Sequence, residues 1–157
     1  AKDPHWNGGW YYDNGGIVNA LTDMRVATLK RYGIDDQLAA QFPDKAAREA
    51  EIRKRAETWS KVFDGNSLVT LRKASVRYDA EKDLAKIRAK VLYVLSRTDQ
   101  LFPPSLAPRV LDALHAAGVA ASYFEIDSDR GHLASGADGA KWAPALRDFL
   151  QRLDAAA

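Results

Sequence analysis

Two side chains suited to proton transfer, Asp99 and His132, follow the two most apolar stretches of the sequence. The first stretch covers residues 91–95 and the second covers residues 119–126. Both have the length of a strand, and functional groups collect at the carboxyl ends of parallel strands in open sheets. A carboxylate that accepts a hydrogen bond from one imidazole nitrogen leaves the other nitrogen able to take a proton from a nucleophile. The pair therefore predicts acyl transfer through a triad of nucleophile, histidine and aspartate.

The nucleophile of such a triad is missing from the sequence. There is no cysteine, and no Gly-x-Ser-x-Gly motif occurs. The serines near the two predicted strands lack the glycine-flanked elbow: Ser96, Ser105, Ser128 and Ser135. The sequence also has no Gly-rich phosphate loop and no histidine pair at metal spacing, so we expect neither a cofactor nor a metal. An Asp after a strand is also a common turn former, which keeps a non-catalytic interpretation open.

The first half of the chain has the pattern of helices joined by loops. Apolar residues at helical spacing predict a helix over 17–32. A second helix is predicted over 44–63, where charges of both signs alternate as on a solvated face. Asn66 or Ser67 is expected to cap a third helix over 68–78.

The second half alternates between strand and helix. The predicted order is a strand at 91–95, a helix at 105–117, a strand at 119–126 and a helix at 141–153. We therefore divide the chain into a helical region, 1–80, and a sheet-forming region, 81–157. Two strands that are apolar on both faces cannot form a complete sheet, because each needs neighbours and covering helices. We expect the remaining strands to lie on another polypeptide.

Composition narrows the classes of protein that remain. The 157 residues carry 23 Lys and Arg against 21 Asp and Glu, a net charge of +2, which is too balanced to indicate nucleic-acid binding. The longest apolar runs fall well short of the roughly 18–20 residues that a membrane span needs. We therefore expect a soluble chain, and its lack of cysteine fits the cytoplasm and the periplasm equally.

Four motifs resemble one family in order along the chain. The segment 3–11, with Asp3, Pro4, Trp6, Gly8, Gly9 and Tyr11, resembles the start of the helical lid in homoserine O-acetyltransferases and their esterase relatives. Residues 63–68, Phe-Asp-Gly-Asn-Ser-Leu, are similar to a second lid motif of that family. Residues 99–104 resemble its catalytic-acid loop, and residues 125–132 resemble its catalytic-histidine loop.

The resemblance implies the C-terminal part of an α/β-hydrolase. In that fold a helical lid would be followed by the βαβα segment, which completes a mostly parallel sheet. Asp99 and His132 would then be the acid and the base of a Ser-His-Asp triad. Asp99 precedes His132, as the chain order of that fold requires.

Three departures from the family pattern bear on the substrate. The acetyltransferases follow the catalytic His with an Asp that helps to hold the homoserine amine, and Leu133 stands there in this chain. Leu21 occupies the place of a lid Arg, and Glu51 the place of a lid Tyr. A site without charged partners for an amino acid favours an apolar acyl substrate. We therefore expect an esterase, a carboxylesterase-type enzyme, with a homoserine O-acetyltransferase as the alternative and a non-catalytic binding module as a further one.

The partners follow from the same interpretation. The nucleophilic Ser and the oxyanion hole would lie on the N-terminal half of the same precursor, and the substrate would be a small acyl ester. The chain begins at Ala1 without Met, in the kind of exposed loop where chains are nicked, so we expect a cut precursor. The aromatic residues at 6 and 10–12 are expected to line the acyl site or to pack a homodimer through the lid, and packing is the preferred alternative.

Overall fold

A computed structural model describes residues 3–154, with the side chains of residues 3–153. The chain divides between Tyr78 and Asp79 into two compact units. That the first unit is a lid stays a prediction. Within the part of the chain that the structure describes, no helix is long and apolar enough to cross a membrane.

The first unit is helical. After a 3₁₀ turn at Pro4–Gly9, its helices are α1 (Val18–Arg31), α2 (Ile34–Leu38), α3 (Lys45–Ser60) and α4 (Gly65–Arg77). Helix α1 packs against α3, where Ile52 and Ala56 are fully buried. The Thr22 and Ser60 hydroxyls form a buried hydrogen bond of 2.6 Å. The five-residue α2 was not predicted, because it is too short to show a helical period.

The start of α4 corrects one expectation. The cap is Asp64, whose carboxylate accepts from the backbone N–H of Ser67 at 2.7 Å, and Asn66 and Ser67 lie inside the helix. The Tyr11 hydroxyl donates to Asp64 and accepts from the backbone N–H of Gly65. These contacts pin the aromatic segment to the beginning of α4. Of the aromatic residues in that segment, Tyr11 is buried, whereas Trp10 and Tyr12 are exposed, and dimerisation through them stays a prediction.

The second unit contains the predicted βαβα order. Strand β1 (Val91–Ser96) is followed by α5 (Ala107–Ala116), β2 (Ala121–Ile126), a short α6 (Ala134–Ala137) and α7 (Gly139–Asp154). The strands are parallel, and their register pairs Val91 with Ala121 and Ser96 with Ile126. Helices α5 and α7 both pack against β2. Among residues 3–154 the sheet has two strands, and both end at the same edge.

Candidate functional site

The loops after β1 and β2 bring Asp99 and His132 into contact. Asp99 lies three residues beyond the end of β1, where its backbone N–H donates to the Ser96 carbonyl at 3.1 Å. His132 lies in a 3₁₀ turn, Gly131–Leu133, that follows β2. The His132 Nδ1 and the Asp99 Oδ2 are 2.9 Å apart. The parallel register explains this proximity, because strands that end side by side release their loops at one edge of the sheet.

The Asp99 carboxylate is held at both oxygens. Its Oδ1 accepts hydrogen bonds from the backbone N–H groups of Leu101 at 2.8 Å and Phe102 at 3.1 Å, and its Oδ2 faces His132. Only 7% of the Asp99 surface is exposed. Burial by itself raises the pKa of Asp99, but the hydrogen bonds from His132 and the two backbone groups outweigh it and hold the pKa below its ordinary value. Asp99 is therefore an ionised, immobilised acceptor for the imidazole.

His132 is partly open to solvent. Its side chain is 30% exposed, and the Phe102 ring lies against it with the ring centres 5.5 Å apart and the planes inclined by 45°. With Nδ1 turned to a carboxylate, Nδ1 carries the proton and Nε2 is the nitrogen suited to accept one. The arrangement is therefore that of an oriented general base.

A cavity of about 170 Å³ lies beside this pair. Its walls include Asp99, His132, Phe102, Ser96 and Trp142. The Ser96 Oγ is buried and has no hydrogen-bond partner within the described residues. The cavity is small, apolar over most of its wall and adjacent to the His132 ring.

The other sequence candidates fall outside the pair. Ser135 is exposed, and its backbone carbonyl accepts a hydrogen bond from the Trp142 indole at 3.0 Å. Leu133 is half-buried beside His132, and its role in substrate choice stays a prediction. In the described part of the chain, no three His, Asp or Glu side chains lie close enough to hold a metal ion.

Further contacts that sequence reasoning missed hold the two loops in place. The Arg97 guanidinium bonds to Asp127 at 2.7 Å and to Asp129 at 2.6 Å. The Ser128 hydroxyl, almost fully buried, donates to Asp138 at 2.5 Å. These residues carry no motif of their own, and their pairing depends on the loops being neighbours in space.

Curated proteins similar to this chain are named as O-acyltransferases. The homoserine O-acetyltransferase of Symbiobacterium thermophilum is 31% identical, over 98% of this chain and 46% of that protein. The homoserine O-succinyltransferase of Janthinobacterium sp. is 28% identical, over 96% of this chain and 45% of that protein. The chain thus spans about half the length of the curated relatives it matches. No family model matches it.

Solved structures share the fold. The crystal structure of esterase E22 matches with a TM-score of 0.80 and 23% identity, covering 95% of this chain and 46% of that one. The homoserine O-acetyltransferase from Bacillus anthracis matches with a TM-score of 0.76 and 23% identity, covering 94% and 45%. These likenesses support the predicted fold, part of an α/β-hydrolase. They do not confirm the expected preference for an esterase, since the names of the curated relatives favour the acyltransferase alternative.

Proposed function

We propose that this chain, which is homologous to the homoserine O-acyltransferases and corresponds to the C-terminal part of an α/β-hydrolase, supplies the acid and the base of a Ser-His-Asp acyl-transfer centre. The observation that carries the proposal is the 2.9 Å contact between Asp99 Oδ2 and His132 Nδ1 at the ends of adjacent parallel strands. Asp99 holds the ring orientation and His132 moves the proton.

The chemistry follows from that geometry. His132 Nε2 takes the proton of a serine hydroxyl as the serine oxygen attacks the acyl carbon. The imidazolium, stabilised by Asp99, then gives the proton to the leaving group as the bond between the acyl carbon and the leaving group breaks. The acyl group is now bonded to the serine oxygen. A second nucleophile, an alcohol or water, loses its proton to His132 and takes the acyl group. The imidazolium gives that proton to the departing serine oxygen, which restores the serine hydroxyl.

We propose that the serine belongs to an N-terminal half that precedes this chain in the complete protein. The curated relatives are about twice as long as this chain, and the matched portion leaves half of each unaccounted for. The two strands β1 and β2 also need further neighbours to form a stable sheet. That half would complete the sheet and supply the nucleophile and the oxyanion hole.

For the acyl acceptor, the first candidate is the hydroxyl of an amino acid such as homoserine. This assignment is supported by the names of the curated relatives, which include acetyl and succinyl transfer to homoserine. Acetyl and succinyl transfer would both proceed through an acyl-serine intermediate of the same kind.

A second candidate, ester hydrolysis, is favoured by Leu133. This side chain directly follows the proposed base and offers no charge to an ammonium group. An acyl-enzyme without a bound amino acid is resolved by water, which makes the enzyme an esterase. The fold likeness to esterase E22 is compatible with this candidate.

The proposal is tested with His132→Ala in the complete protein, with the nucleophile-bearing half present. We expect kcat to fall by about 10³ or more for whichever acyl reaction the wild type performs, because the general base is lost. His115→Ala is the matched control, since His115 is exposed and its ring contacts a backbone carbonyl of β2. A kcat of His132→Ala within a few-fold of the wild-type kcat would contradict the assignment.

The two acceptors are separated by giving the enzyme acetyl-CoA with homoserine in one assay and a short p-nitrophenyl ester in another. Leu133→Asp should shift the ratio of these rates toward homoserine, because a carboxylate can pair with its ammonium group. An unchanged ratio would show that this position does not select the acceptor.

A further inference from the structure

The Thr98 side chain lies between the loop that carries Asp99 and the loop that carries His132. Its hydroxyl donates to the Ser128 carbonyl at 2.8 Å and accepts from the backbone N–H of Gly131 at 3.1 Å. Thr98 is the residue before Asp99, and Gly131 is the residue before His132. One side chain thus joins the two loops immediately next to the two members of the proposed pair.

The Thr98 hydroxyl stands between two backbone groups that could otherwise bond directly to each other in a turn. Ser128 and Gly131 are the first and fourth residues of a four-residue segment, whose carbonyl and N–H a β-turn joins directly. A hydroxyl can bridge such groups because it donates one hydrogen bond and accepts others. The turn before His132 is therefore held open by a group from the opposite loop.

The other groups of this turn are already engaged. The Ser128 hydroxyl accepts from the backbone N–H of Arg130 at 3.0 Å and donates to Asp138. Gly131 is buried and has a φ of 54°, a backbone conformation that favours glycine. The segment therefore has one well-defined shape, and Thr98 supplies the contact that ties this shape to the Asp99 loop.

The ion pairs across the same two loops are weaker constraints. Arg97 bonds to Asp127 and Asp129, but these carboxylate side chains are 88% and 85% exposed. Exposed ion pairs are screened by water and salt and hold geometry poorly. Thr98 is half-buried, and its two hydrogen bonds go to backbone groups, which move less than exposed side chains.

We infer that Thr98 is a positioning residue that sets the place of His132 relative to Asp99 through its hydroxyl. The inference rests on the proposed function of that pair. A displacement of about 1 Å in such a pair is enough to cost on the order of 10²-fold in rate. Thr98 touches neither the acyl group nor the nucleophile in this scheme, and it acts through His132.

The test compares Thr98→Val with Thr98→Ser in the complete protein. Valine keeps the shape and removes the hydroxyl, whereas serine keeps the hydroxyl and removes a methyl group. We expect Thr98→Val to lower kcat by about tenfold to a hundredfold with KM nearly unchanged. We expect Thr98→Ser, which keeps the hydroxyl, to retain kcat within about threefold of wild type.

A matched control separates positioning from a general loss of stability. Thr22→Val removes a buried hydroxyl hydrogen bond, to Ser60, in the other unit. It should lower the melting temperature while kcat changes less than in Thr98→Val. A second readout is the Nδ1 proton of His132 in NMR spectra, which is assigned by its loss in His132→Ala. That signal should shift or broaden in Thr98→Val only.

Each outcome has a defined meaning. If Thr98→Val keeps kcat within about threefold of wild type while His132→Ala abolishes activity, the positioning role is wrong and the proposed function stands. If serine fails to restore kcat, the methyl group and not the hydroxyl matters, which also overturns the inference. If His132→Ala itself is active, the proposed function fails, and the NMR signal still reports whether Thr98 places the ring. An unchanged signal in Thr98→Val would overturn the inference there too.

Discussion

Replacing Asp99 by Asn is expected to leave the fold in place and to move the proton on the His132 ring. The two backbone N–H groups of Leu101 and Phe102 both donate to Asp99 Oδ1. In the Asn variant the amide oxygen must occupy this position, because the opposite orientation would set an NH₂ group against two donors. The amide NH₂ then faces His132 Nδ1, which must accept instead of donate. Nε2 consequently carries the proton and cannot take one from a nucleophile.

The expected loss is large. A general base held in the wrong tautomer costs about 10⁴ in kcat, which corresponds to about 5 kcal/mol of transition-state stabilisation. The change in folding stability should be small by comparison, since the same backbone contacts persist. The pKa of Asp99 is held below its ordinary value by the hydrogen bonds from His132 and the backbone, against the effect of burial. The wild-type carboxylate is therefore ionised at neutral pH, where the loss in the Asn variant is measured.

The assay measures kcat for acyl transfer to homoserine and for hydrolysis of a short p-nitrophenyl ester, with the nucleophile-bearing half present. Asp23→Asn is the matched control, because the Asp23 side chain is 69% exposed and forms a surface ion pair with Arg53 at 3.0 Å. The control should retain wild-type kcat. A folded Asp99→Asn variant with less than a tenfold loss would refute the tautomer argument.

Two further predictions concern the first unit. Gly65→Ala should lower the free energy of unfolding, measured by urea titration, by about 1–3 kcal/mol. The reason is that the added Cβ would lie 2.5 Å from Ile17 Cδ1 and 3.2 Å from the Tyr11 hydroxyl. Gly136→Ala is the control and should leave this free energy nearly unchanged, because nothing lies within 4 Å of its Cβ. Tyr11→Phe should cost about 1–3 kcal/mol at neutral pH, because the buried N–H of Gly65 loses its acceptor. Burial and the hydrogen bond to Asp64 raise the pKa of Tyr11 to about 12. The stabilisation by the protonated hydroxyl is thus full below pH about 10 and lost as the pH rises through 12, so the difference between wild type and Tyr11→Phe should narrow over that range. A constant difference across this range would contradict the assignment.

The sequence predicted most elements correctly because periodicity is a local property. The apolar run at 91–95 lies within β1, and the run at 119–126 contains β2, which begins two residues later than predicted, at Ala121. The helical spacing at 17–32 and 44–63 likewise matches α1 and α3 to within a few residues. The predicted cap of α4 was wrong, because Asp64, Asn66 and Ser67 are all good capping residues and the sequence does not show which of them begins the helix. Only the packed position of Tyr11 and the helix start decide which of them bonds to the backbone.

The sequence by itself determined that an acid and a base follow two parallel strands, since residue type and order suffice for that prediction. Only the tertiary structure decided that Asp99 and His132 meet at 2.9 Å and that Thr98 ties their loops together. These contacts join residues about 30 positions apart in the chain. Their distance depends on the register of β1 against β2 and on the turn before His132, and neither is a property of any short stretch of sequence.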